Sequence, residues 1–166
     1  GNLETKATTE VAITRTAGRS FLLFAAGDSA KGKPRQVAKG CRIYGCKIWE
    51  KEGEEMGLKH DFKPFLKGDT PGFKDAVTGF FHAGAGLKCG GEIDREEDDP
   101  YIESPYGNRS IDTGYTATSK TSIICDYMPL VQQAAQQFPF EAGDSTHNAV
   151  EQGDQMYMRM YGNGST

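Results

Sequence analysis

Apolar and aromatic residues along this chain come in short runs, and turn-forming residues separate the runs. Residues 10–15 (EVAITR), 20–26 (SFLLFAA), 42–49 (RIYGCKIW), 60–66 (HDFKPFL), 79–82 (GFFH), 120–127 (KTSIICDY) and 155–161 (QMYMRMY) are rich in β-branched and aromatic side chains. Such side chains fit a pleated, half-buried surface, so each run predicts a strand. Gly, Asp, Ser, Asn and Lys cluster between them. Short strands at this spacing predict an all-β, antiparallel β-sandwich or barrel. One stretch departs from the pattern: residues 129–137 (PLVQQAAQQ) place helix formers behind Pro129 and predict a short helical turn. Residues 92–99 (EIDREEDD) form a charge run that ends at Pro100, and this predicts a linker or solvated loop.

Composition narrows the classes. With 166 residues, 37% of them hydrophobic and 25% charged, the chain can bury a sizeable core and is not of the disordered type. Its 21 glycines suit many tight turns. A net charge of −4 leaves no basic stripe to neutralise phosphates, which argues against a general nucleic-acid partner. No apolar run approaches the roughly 20 residues that a membrane span needs. The chain opens on Gly1 without a signal peptide, and it is read as a processed or excised piece.

Residues 42–86 carry a more specific pattern. Ile43, Tyr44, Cys46, Lys47, Ile48 and Trp49 form one strand-like group. Asp61, Phe62 and Pro64 follow, then Gly72, Phe73, Asp75, Val77, Gly79, Phe80, Phe81, Ala83, Gly84 and Gly86. This series resembles the closing strands of the concanavalin A-like, laminin-G-type jelly roll found in bacterial surface and phage-associated proteins. Residues 18–25 (GRSFLLFA) look like the strand that precedes them. Residues 101–115 (YIESPYGNRSIDTGY) resemble that family's first strand, and 121–127 its second. The two halves therefore stand in reversed order. A C-terminal-type half spans residues 1–92, an acidic linker or loop 93–100, and an N-terminal-type half 101–166. The resemblance implies a jelly-roll sandwich that is permuted, cut from a tandem array, or completed by strand exchange with a neighbour. Exchange has a physical motive, since a half sandwich has open edges and an uncovered apolar face.

The chain offers little for catalysis. Glu92, Asp94 and Glu96 match the carboxylate spacing of laminarinase-type glycosidases, and in a strand they would share one face. They continue into further acidic residues with no apolar strand beside them, so they read as a solvated run. His60, His82 and His147 are far apart in sequence. Cys41 and Cys46 lie five positions apart, which on a regular strand puts them on opposite faces and excludes a shared zinc. Cys46 reads as a buried thiol, and Cys41, Cys89 and Cys125 offer one disulfide in an extracellular setting. No cofactor, metal site or nucleophile-plus-base motif is expected. Two Gly-Asp-Ser turns echo each other, at residues 27–29 and 143–145. They read as shared turn chemistry, with a cation shared by Asp28 and Asp144 as the sharper alternative. Asn108 and Asn163 each open an Asn-X-Ser triplet, which matters only in a eukaryotic secretory setting.

The binding candidates are Tyr157, Arg159 and Tyr161. They alternate with Met156, Met158 and Met160, so a strand here would pack methionines inward and show a Tyr-Arg-Tyr stripe outward. Flat aromatics beside a planar donor suit sugars or another protein. Trp49, the only tryptophan, is expected on one face with Ile43 and Lys47 as partly buried support. The expected function is a non-catalytic extracellular or cell-surface structural module, a building block that self-associates into a fibre or surface assembly through complementary halves. The alternative is a glycan- or surface-binding adhesion module, and glycoside hydrolysis is the weaker third.

Overall fold

A computed structural model describes residues 5–9, 20–27, 34–37, 40–91, 99–105, 109–118, 120–130, 140–143 and 155–157. Every regular element among them is a β-strand. In chain order these are β1 (Thr5–Thr9), β2 (Ser20–Leu23), β3 (Ala25–Gly27), β4 (Pro34–Val37), β5 (Cys41–Glu52), β6 (Glu55–Lys67) and β7 (Thr70–Asp75). They continue as β8 (Phe81–Ala83), β9 (Lys88–Gly90), β10 (Tyr101–Ser104), β11 (Ile111–Thr116), β12 (Thr121–Pro129), β13 (Phe140–Gly143) and β14 (Gln155–Tyr157). Pro129, the first residue of the expected helical turn, is the last residue of β12. Residues 131–137 of that expected turn, and the expected strand at 10–15, lie outside the described residues.

The strands form antiparallel sheets. The larger runs β1-β12-β5-β6-β7-β8, with β10 and β9 continuing beside the start of β5; the smaller runs β11-β2-β13-β14; and β3 pairs with β4. The two hairpins at the centre of the large sheet follow from turn chemistry. Gly53-Glu54 joins β5 to β6, and Gly68-Asp69 joins β6 to β7. In each, the glycine comes first with φ near +60°, which is what a type II′ turn requires at that position.

Inner positions of both main sheets share one core. Phe21, Leu23, Ile43, Ile48, Phe62, Phe73, Ile102, Ile111, Ile123 and Phe140 are buried there. Burying each such side chain stabilises the fold by about 1.5–3 kcal/mol. Phe24 makes the transition between β2 and β3. Its backbone is left-handed (φ 64°), an unfavourable conformation for a bulky residue, while its ring is fully buried against Phe73 with centroids 6.4 Å apart.

A bulge in β5 corrects two expectations. Asp126 pairs with Gly45 and the next residue, Tyr127, pairs with Ile43, so Tyr44 is the extra residue. An inserted residue reverses the in–out alternation beyond it. Cys41 and Cys46 therefore do not face opposite ways: both are buried in the core. For the same reason Ile43 points inward and does not share a face with exposed Lys47, while Trp49 is half-buried.

Candidate functional site

Of the stripe Tyr157, Arg159 and Tyr161, only Tyr157 falls in a described strand, where its backbone pairs with Glu141 in β13. Arg159 and Tyr161 lie outside the described residues, as do Glu92, Asp94, Glu96, Asp28 and Asp144. The strands on either side of the acidic run, β9 and β10, pair with one another.

The most elaborate polar cluster centres on Asp75 at the end of β7. Its carboxylate is fully buried. The Asp61 and Val77 amides donate to Oδ1 at 2.9 and 3.0 Å, and His60 Nδ1 and Thr78 Oγ1 donate to Oδ2 at 2.8 and 2.6 Å. Four donors fill the four lone-pair sites of a carboxylate. Burial alone would push its pKa up. The four donors outweigh that and hold it at about 2. The turn that follows is fixed by the same residue: Gly79 N–H donates to the Asp75 carbonyl, and Asp75 N–H to that of Phe80.

His60 belongs to this cluster and to a row of rings. Its imidazole lies parallel to Phe62 at 5.3 Å and meets the edge of Tyr115 at 5.1 Å. Phe62 also meets His82 edge to face at 5.3 Å, and His82 meets Phe80 edge to face at 5.1 Å. The row runs from the half-buried Tyr115 to Phe80, which is 65% exposed. His82 Nδ1 donates weakly to the Asp112 carbonyl of β11 at 3.3 Å. Sequence distance hid this grouping. The signal available was alternation, since His60 and Phe62 share the inner face of β6 and the β7–β8 register sets His82 opposite Phe73.

The outer face of the large sheet carries cations over aromatics. Lys74 Nζ lies 5.4 Å from the Phe65 ring centre and Lys67 Nζ 5.8 Å from that of Phe81, and the two rings meet edge to face. Gly72 makes room, because a methyl there would strike the Phe81 ring and the His82 carbonyl. Further along, the Arg42 guanidinium sits 4.1 Å over Tyr101 and donates to Glu103 at 2.9 Å.

Chemically, the Asp75 cluster is a closed hydrogen-bond system. Its ionised carboxylate is acceptor-only, so His60 donates to it through Nδ1–H. Among the described residues no three His, Cys, Asp or Glu side chains come together in a way that could hold a metal ion. No described helix is long and apolar enough to cross a membrane. No family model, curated protein or solved structure matches the chain.

Proposed function

We propose that this chain is a closed, permuted jelly-roll module of the concanavalin A-like kind, non-catalytic, acting outside the cell or on its surface as a glycan- or surface-binding adhesion domain. The observation that carries the reading is the pairing between the two ends of the chain. β11 pairs with β2, and β12 sits between β1 and β5. Phe21, Leu23 and Ile43, which strand exchange with a neighbour would leave uncovered in a lone chain, are fully buried by strands of their own chain. That supports a self-sufficient module over a fibre subunit.

The saturated Asp75 carboxylate supports a non-catalytic role, because it is ionised and already bound at every acceptor site. Phe80 and His82 are the contact residues added to the Tyr157, Arg159 and Tyr161 stripe. An exposed flat ring beside an imidazole offers a sugar both a stacking surface and a hydrogen-bonding group. The test joins light scattering across a wide dilution range to glycan-array binding. The reading expects a monomer whose binding falls at least tenfold in Phe80→Ala or in the Tyr157→Ala/Tyr161→Ala pair, with unchanged melting. Oligomers that resist dilution would favour the fibre alternative, and binding that ignores every one of these substitutions would remove the proposed contact surface.

A further inference from the structure

Cys46 and Cys125 stand directly opposite each other in the β5–β12 pair, and both are buried in the core, 1% and 0% exposed. All four cysteines are free thiols. The two opposed ones are close enough to share a thiol hydrogen bond. Residues directly opposed in an antiparallel pair hold their Cβ atoms about 4.5–5.5 Å apart. A disulfide takes about 3.5–4.5 Å, so a small inward movement of one strand suffices. The other thiols lack such a partner. Cys41 lies opposite Pro129 and Ser104, and Cys89 is separated from β5 by the width of β10.

We propose that Cys46 and Cys125 form a specific disulfide site, oxidised by a small disulfide such as glutathione disulfide, while Cys41 and Cys89 remain thiols. One protein thiolate attacks the glutathione disulfide, breaking its S–S bond to give a mixed disulfide and one glutathione thiolate. The second protein thiolate attacks the protein-side sulfur and releases the second glutathione. One S–S bond is lost and one gained. The protein gives up two electrons and two protons, and the oxidant leaves as two thiols.

The structure also sets when this happens. The Cys125 thiol donates its hydrogen bond to Cys46, and this bond and burial both push the Cys125 pKa well up, so the attacking thiolate is scarce in the folded domain. The exchange therefore belongs to folding, before β5 and β12 close over the core. Once made, the bond ties residue 46 to residue 125 and restricts the unfolded chain over a long loop. This raises the melting temperature by on the order of 10 °C.

The test uses the full chain, reduced in denaturant and refolded either with dithiothreitol or with a mixture of oxidised and reduced glutathione. Both samples are alkylated, and their intact masses and non-reduced peptide maps are compared. The expected result is an oxidised sample that carries two alkyl groups where the reduced one carries four, a Cys46–Cys125 cross-linked peptide, a higher melting temperature, and alkylated Cys41 and Cys89. The Cys41→Ala/Cys89→Ala variant should form the same bond, and the wild-type peptide map decides if that variant does not fold. Refolded protein with four free thiols, a bond that includes Cys41 or Cys89, or refolding that fails only in the oxidised sample would overturn the proposal. No outcome depends on ligand binding or on where the protein resides, so this site stands or falls separately from the surface-module reading.

Discussion

Asp75 and Cys125 are equally buried, each with no exposed surface, yet the protein moves their proton equilibria in opposite directions. Asp75 sits where β7 turns toward β8, and four donors stabilise its charge. Cys125 sits in the β5–β12 seam beside another thiol and apolar side chains, and nothing there stabilises a thiolate. Its pKa rises through the Cys46 hydrogen bond and burial, while that of Asp75 falls to about 2. Depth alone does not set the sign: the donors at the site do. The large sheet thus contains a corner held by directional bonds to a charge and a seam held by neutral packing.

Removing the Asp75 carboxylate should give the largest effect. Asp75→Ala leaves the Asp61 and Val77 amides and the Thr78 hydroxyl without their acceptor in a buried place. A loss of about 3–5 kcal/mol is expected, from breaking a buried charged network by removing one partner. Urea unfolding measures it. A loss under ~1 kcal/mol would mean the corner is held by packing, like the seam.

The next effect is the acid limb. The folded pKa of Asp75 lies below its ordinary value of 3.8, so its contribution is present above about pH 4 and is lost as pH falls through about 2. The difference corresponds to about 2 kcal/mol. Unfolding midpoints measured from pH 5 to pH 1.5 should show this fall, and Thr78→Val should flatten it by removing one donor. An acid limb of the same size in Thr78→Val would assign the loss to other carboxylates.

The seam should respond at the other end of the scale and more weakly. With the folded pKa of Cys125 raised, stability is fully present below the thiol's ordinary value of 9.0 and declines as pH rises beyond it. Cys125→Ala should cost about 1 kcal/mol at pH 7 through lost packing and should make the alkaline decline shallower. A variant with an unchanged alkaline limb would show that Cys125 does not contribute to it. The smallest effect belongs to the outer face. Glu103→Gln removes the carboxylate that Arg42 contacts at 2.9 Å. The pair is partly exposed, so less than about 1 kcal/mol is at stake, and salt should erase most of it.

Much of this comparison is legible in the residues, and the part that is not has identifiable causes. Alternation marked the strands around Phe21, Ile43, Phe62 and Ile123, whose apolar side chains are core residues. It missed the thirteen-residue reach of β6 at its polar start, Glu55 to Lys59, because pairing with β5 and not side-chain type makes that segment a strand. It misjudged Cys41 because a bulge has no reliable composition mark beyond a glycine such as Gly45. It did not group His60, His82 and Tyr115, which come from three strands in two sheets.

The sequence by itself determined that the chain is built of strands, where glycine turns it, and which side chains seek the core. These follow from local sterics and from the period-2 alternation of side chains, both of which act within a few residues. Only the tertiary structure decided the pairings: β12 against β1 and β5, β11 against β2, Cys125 opposite Cys46, and Asp75 beneath His60 and Thr78. Strand register depends on hydrogen bonds and packing between segments more than a hundred residues apart in the chain, as in the pairing of β1 with β12. Whether a buried group is charged or neutral depends in turn on which donors that register delivers to it.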